Sequence, residues 1–325
     1  MAAALTPPSV AIDTDQQQHD DENDQSNASS PRAASIAGAA VSSSKPLHPG
    51  AVAIAVRASA SRGRVNENRL HGYYTFSFGS YNDSRYDGLH SLRILNEDRI
   101  APAGGFGKHA HNDFEIFSYV LSGTLRHEDS MGNKESLGRG SVQFTSTGSG
   151  ILHSEVNDSD SDPVHLLQVW VAPNTLGLKP TYTTRKWSDA EKNGRLRLIV
   201  SKQGGQRSIK LHQDMSVYAC ILQPGASVAF AVDPQRDVYV HLVQDATGLK
   251  TEANKTALTL TDAAGGSTKL SGGDGATVRH STGVKGSGAQ LLTLTGAGAD
   301  GSIAEFLLFD IAQSKSVNKG KKKHR

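Results

Sequence analysis

The chain has 325 residues, of which 37% are hydrophobic and 20% charged, and its formal net charge is +2. That length and mix predict one or two globular domains with polar extensions, and the near-balanced charge excludes a general attraction to nucleic acid, so no specific nucleic-acid partner is expected. No apolar run approaches the roughly 20 residues that a bilayer helix requires, so no membrane partner is expected. A single cysteine, Cys220, excludes an intramolecular disulfide and suits a reducing compartment, the cytoplasm; within Val217 to Leu222 it reads as a small core residue.

Residues 1–60 are rich in Ala, Ser, Asp, Gln and Pro and poor in aromatics. They cannot bury enough apolar area to offset the entropy of ordering, which predicts a disordered polar N-terminal extension. Six acidic residues and no Lys or Arg precede Arg32, and there is no apolar secretory core, so neither a mitochondrial presequence nor a secretion signal is expected. The sequons Asn27-Ala28-Ser29 and Asn254-Lys255-Thr256 are then incidental.

From Arg62 onward, short β-branched and aromatic runs alternate with turn residues. Leu92 to Asn96, Glu115 to Leu121, Ser141 to Thr145, Val164 to Val171 and Leu196 to Val200 read as strands. Gly132-Asn133 and Gly138-Arg139-Gly140 favour antiparallel hairpins, so the class is all-β, a barrel or sandwich. The polar stretch Lys186 to Lys192 predicts a short helix or linker. A second β-rich unit follows, with strands at Ser216 to Leu222, Ser227 to Val232, Asp237 to Val243, Ala257 to Thr261, Gln290 to Thr295 and Ile303 to Phe309. Lys319, Lys321, Lys322, Lys323 and Arg325 make a basic tail, read as a solvated end, with a nuclear-import patch as the second reading.

Two motif matches fail on context. Gly296, Gly298 and Gly301 satisfy G-x-G-x-x-G, but a strand rather than a helix follows, so no helix N-terminus would face a pyrophosphate. Asp158 to Asp162 imitates the start of a calcium loop, but Pro163 replaces its turn glycine and Val169 its bidentate glutamate.

The chemistry concentrates between Lys108 and Asn157, in the pairs His109-Ala110-His111 and His153-Ser154-Glu155. In a strand, side chains two apart leave the same face, so each pair aims both donors into one space. With 13 histidines, chance supplies roughly 0.5 H-x-H pairs, so the strand context and the second pair carry the inference. Three imidazoles and one carboxylate on a six-coordinate metal leave two open positions, whereas structural zinc more often closes its sphere with sulfur. Asp113 and Glu115 share strand parity with His109 and His111, so by residue pattern alone they too are candidate carboxylates. His212, His241 and His280 stand isolated, and the second unit is expected to be metal-free.

Gly105-Phe106-Gly107, His109-Ala110-His111, Asp113, Glu115, Gly140 and Gly148 to Asn157 resemble the paired motifs of the cupin barrel, in the variant found in pirins. Tyr74 to Phe78, Leu92 to Arg99, Asp129-Ser130-Met131-Gly132-Asn133 and His165 to Trp170 extend the likeness. His212-Gln213-Asp214-Met215 and Phe306 to Asp310 look like the bacterial-type quercetinase branch of that family. The resemblance implies two tandem cupin (double-stranded β-helix, jelly-roll) barrels: residues 61–184 metal-binding, 185–312 without metal, and 313–325 a basic tail. It implies His109, His111, His153 and Glu155 as ligands of one divalent ion, with Asp113 or Glu115 in a supporting role. Iron(II) comes first, with copper, manganese, nickel, cobalt and zinc as alternatives. The implied activity is that of a quercetin 2,3-dioxygenase, cleaving a flavonol or related aromatic enol with O2, with Glu155 also accepting the substrate proton. Other pirins imply an alternative, a metal-bearing nuclear transcription cofactor with a protein partner.

Overall fold

The computed structural model describes residues 52–67, 69–205, 208–244, 255–280 and 288–313. The basic tail, the sequon at residues 27–29, Asn254 of the other sequon and most of the polar N-terminal stretch lie outside the described residues.

In chain order the first strands are β1 (Val52–Arg57), β2 (Gly63–Glu67), β3 (Leu70–Tyr74), β4 (Leu92–Ile100), β5 (Gly105–His111), β6 (Glu115–Ser122), β7 (Leu125–Asp129), β8 (Lys134–Leu137), β9 (Ser141–Ser146), β10 (Ile151–Asn157), β11 (Val164–Val171) and β12 (Thr181–Lys186). Helix α1 (Asp189–Lys192) follows, opened by a Ser188 N–H that donates to the Glu191 carboxylate at 2.9 Å. Then come β13 (Arg197–Ser201), β14 (Ile209–Lys210), β15 (Met215–Leu222), β16 (Ser227–Val232), β17 (Arg236–Leu242), β18 (Ala257–Asp262), β19 (Ser267–Ser271), β20 (Gly275–His280), β21 (Gln290–Gly296) and β22 (Ala304–Ala312).

These strands make two jelly-roll barrels. The first joins a seven-stranded sheet, β12-β9-β6-β11-β4-β3-β2, to a four-stranded sheet, β5-β10-β7-β8. The second joins β1-β20-β17-β22-β15-β13-β14 to β16-β21-β18-β19. The two cupin units expected from the resemblance are therefore present.

One strand departs from expectation. Val52–Arg57, assigned above to the disordered extension, pairs antiparallel with β20 along its whole length, so it belongs to the second barrel although it precedes the first. Six residues, apolar up to Arg57, suit a sheet edge, and Val52 is buried in the second core. Arg57 then ties back to the first barrel, donating to the Tyr81 hydroxyl at 2.8 Å and lying 3.6 Å above the Tyr86 ring.

The two larger sheets share a core. Leu95, Phe117 and Val169 of the first pack in one cluster with Val217, Leu307 and Phe309 of the second. Strand β4 shows how alternation divides its residues: Leu95 joins this shared core, whereas Ile94 and Ile100 join clusters within the first barrel. Glu97, on the shared face and 0% exposed, accepts from Arg62 Nη2 (3.3 Å), His165 Nε2 (3.0 Å), His241 Nε2 (3.1 Å) and the Gln244 N–H (2.8 Å). Burial opposes its charge, but the imidazole hydrogen bonds and the Arg62 charge outweigh burial and hold its carboxyl well below the usual range. A strand expected to stop at Asn96 thus runs to Ile100, because Glu97 and Arg99 find partners between the barrels.

Candidate metal centre

Inside the first barrel the inner face of the large sheet is layered, as the cross-strand register shows. Ile94, Trp170 and Ile116 lie abreast in one row, Asn96, Gln168 and Ser118 in the next, and Ile100 and Val164 toward the far end. Ile100 and Val164 pack with Phe106, Leu125 and Leu137 into an apolar floor. The polar middle row faces the small sheet, which carries the candidate ligands.

On that sheet β5 and β10 run antiparallel, with His153 opposite His109 and Ile151 opposite His111. A bulge between His153 and Glu155 then sets Glu155 opposite Phe106. Gly105 permits this close approach, since a Cβ there would collide with the backbone of Glu155 and Val156. Before β10 the chain turns at Gly148, whose φ of +42° and contact with the Leu178 carbonyl leave no room for a side chain.

His109, His111 and His153 converge, with one potential ligand atom from each lying within 4.8 Å of the others. His109 Nδ1 lies 2.6 Å from the Gly107 carbonyl and must donate to it, which leaves the lone pair on Nε2. That Nε2 is 3.1 Å from His153 Nε2, so a proton or a cation must lie between them. Two nitrogens bound side by side at about 2.1 Å from an octahedral ion would stand about 3.0 Å apart, so the spacing fits a metal. Burial, and then the neighbouring imidazoles, push His111 and His153 down to about 3. Both are neutral donors at physiological pH. His153 Nδ1 is buried without a hydrogen-bond partner.

Glu155 lies beside this group rather than in it. Its carboxylate is 1% exposed and accepts from Ser118 Oγ at 2.7 Å and Gln168 Nε2 at 2.8 Å, both from the opposite sheet. Each oxygen keeps further acceptor capacity. The other candidate carboxylates point elsewhere, which corrects the supporting role expected of them. Glu115 accepts from the His212 N–H (2.7 Å) and from His212 Nδ1 (2.6 Å), across the barrel interface. Asp113, at φ +57°, accepts the Gly177 N–H at 2.7 Å and so pins a loop. His241 bonds to Glu97, and His280 to the Gly288 carbonyl at 3.1 Å.

Sequence reasoning missed two neighbours of the cluster. His127 on β7 is fully buried, lies 5.4 Å from His153 between ring centroids, stacks on Tyr182 at 4.7 Å and bonds to Asp129 Oδ2 at 3.1 Å. Its signal was legible, since His127-Glu128-Asp129 is another two-apart pair on a strand. Trp170 sets its ring 4.6 Å from that of His111, with Phe78 and Phe114 packed on it at 5.6 and 5.4 Å. The donors are thus flanked by an aromatic wall on one side and polar groups below.

Comparison with known proteins finds similar sequences and similar folds. Residues 55–171 match the family model described as Pirin, and residues 198–311 the one described as Quercetinase C-terminal cupin domain. Quercetin 2,3-dioxygenase of Escherichia coli (strain K12) is 38% identical over 191 residues, covering 59% of this chain and 81% of that protein. A putative quercetin 2,3-dioxygenase of Pasteurella multocida is 39% identical over 177 residues, covering 54% of this chain and 75% of that protein. The crystal structure of YhhW from Escherichia coli superposes with a TM-score of 0.68 at 32% identity, covering 81% of this chain and 99% of that one. Bacterial pirin YhhW in complex with nickel(II) gives a TM-score of 0.67 at 31% identity, covering 81% of this chain and 100% of that one.

Proposed function

The chain belongs to the pirin family, and on that premise we propose that it is a metal-dependent quercetin 2,3-dioxygenase, opening a flavonol or related aromatic enol with O2. The observation that carries this reading is the convergence of His109, His111 and His153 beside the Trp170 wall. We assign one divalent ion to these three imidazoles, with Glu155, which lies beside them and keeps acceptor capacity on each oxygen, as the carboxylate donor. Iron(II) is the first choice for mixed nitrogen and oxygen donors, with copper, manganese, nickel, cobalt and zinc as alternatives. That the Escherichia coli pirin forms a complex with nickel(II) is in keeping with a divalent ion in this fold.

When bound, the ion supplies Lewis acidity and a redox path between an enolate and dioxygen. The protein's own groups do the rest. Trp170, with Phe78 and Phe114 behind it, offers a flat apolar surface that orients a fused-ring substrate beside His111. Glu155 is the base that takes the flavonol hydroxyl proton, and Ser118 and Gln168 hold its carboxylate in position. The closed apolar floor keeps water from entering below. We place the reaction in the cytoplasm, in keeping with the single buried thiol of Cys220. No helix among the described residues is long and apolar enough to cross a membrane. The nuclear-cofactor alternative drew on the basic tail, which lies outside the described residues.

The test is oxygen uptake after anaerobic loading with each candidate metal. Quercetin-dependent consumption by the loaded protein, absent from the stripped protein, is the expected result. No consumption with any of the six metals would refute the reading.

A further inference from the structure

Within the polar middle of the first barrel, two side chains are left without partners. Asn96 and Asp98 are each 1% exposed, and none of their four side-chain oxygen and nitrogen atoms has a hydrogen-bond partner. Native interiors rarely leave one such atom unmatched, and four on adjacent same-face positions of one strand mark a place where something polar belongs.

The register locates that place. Asn96 is opposite Gln168 and Tyr74, and Gln168 is opposite Ser118, so Asn96 continues the row that holds Glu155. Asp98 is opposite Gly72 and Leu166, one row nearer the floor. A Cβ at Gly72 would strike Asp98 Oδ1 and press on the Tyr74 ring, so the missing side chain is what lets the carboxyl group lie there. Above this ledge stand Ile94 and Trp170, and Trp170 borders His111. A flat ligand on the aromatic wall, with one end at the histidines, would bring its far end down toward Asn96 and Asp98.

The donor and acceptor inventory selects the chemistry of that end. Asn96 both donates and accepts, and so does Asp98, because burial and then the charges of Glu155 and Glu97 favour its protonated form at neutral pH. An anionic group would stand near the carboxylates of Glu155 and Glu97 and leave the Asn96 carbonyl unmatched, and an ammonium would leave the Asn96 N–H groups unmatched. A neutral hydroxyl, which donates and accepts through one atom, satisfies both residues.

We infer that Asn96 and Asp98 form a specificity site for a hydroxyl-bearing ring of the ligand, a reading that rests on the dioxygenase proposal and goes deeper into the same barrel. The test compares quercetin with the flavonol of the same ring system that lacks both hydroxyls on the pendant ring. Dissociation constants come from tryptophan fluorescence of the full chain, loaded anaerobically with iron(II). The wild type is expected to favour quercetin by about tenfold or more, because a site built around a hydroxyl penalises the analogue lacking it. Asn96→Leu and Asp98→Leu should bring the ratio near unity, whereas Asp98→Asn, which still hydrogen-bonds, should keep a preference. Should a leucine variant not fold, Asn96→Ala reads the same ratio. An unchanged ratio in the folded variants, a wild type without preference, or one that binds neither flavonol would overturn the inference. Oxygen uptake is scored separately: turnover with an unchanged ratio sinks only the ledge, and a lost ratio without turnover sinks only the dioxygenase.

Discussion

Replacing His153 by leucine should raise the stability of the metal-free protein and remove the stability that metal confers. The imidazole is 1% exposed, its Nδ1 has no partner, and its Nε2 faces the lone pair of His109 at 3.1 Å. An unmatched buried polar atom costs about 1–3 kcal/mol, and leucine fills a similar volume without one, so the stripped variant should gain about 1–2 kcal/mol. For domains of this size each kcal/mol moves Tm by about 2–4 °C, so the expected rise is about 2–8 °C. A metal at a hundredfold excess over its Kd stabilises the wild type by about 2.7 kcal/mol, or about 5–10 °C, and should do little for a variant with one donor fewer. Calorimetry on chelator-stripped and metal-repleted samples should therefore show the two proteins exchanging rank when metal is added. Equal metal-induced shifts, or a stripped variant several degrees less stable than wild type, would refute the reasoning. The second result would mark His153 as an ordinary core residue.

Gln168→Leu removes the donor that holds Glu155 and the acceptor of the Trp170 indole N–H, 3.2 Å away; metal titration should show about a 10–100-fold loss of affinity. Glu97→Gln takes the negative charge from between buried Arg62 and Arg99, and thermal or denaturant melts should record a loss of about 3–5 kcal/mol. Stripped protein should lose stability as the pH falls from about 6.5 toward 3, because His111 and His153, pushed down to about 3, stay neutral in the fold while the unfolded chain takes up protons. Melts of a His111→Leu, His153→Leu double variant should show a shallower acid slope. Asp98 has the opposite sign: burial first, then Glu155 and Glu97, push it up to about 8, so the stability tied to its proton is complete below about 3.8 and lost as the pH rises through about 8. Asp98→Asn should flatten the decline in Tm between about pH 4 and 8.

Where strands were rich in β-branched and aromatic residues, the sequence was enough. Val164–Val171 and Ser227–Val232 form at their expected bounds, and the polar stretch after Lys186 yields the short helix α1. The ligand pairs were legible for the same reason, since strand parity alone makes His109 and His111 share a face. The misses arise where partners come from far along the chain. Glu97 to Arg99 lie beyond the strand end expected at Asn96, because a charged run does not read as buried strand until His165, His241 and Arg62 surround Glu97. Glu115 shares parity with the ligands, yet its carboxylate is drawn out of the barrel by His212, 97 residues later. Val52–Arg57 could not announce that its partner is β20, because edge pairing leaves only a weak pattern in a short apolar run.

The most direct test is the metal content of chelator-stripped protein refilled with iron(II) without oxygen, measured for the wild type and for His111→Ala. Three converging imidazoles with Glu155 predict one ion per wild-type chain and near-complete loss of loading in the variant. Full occupancy in His111→Ala, or a wild type that retains no ion after desalting, would contradict the account.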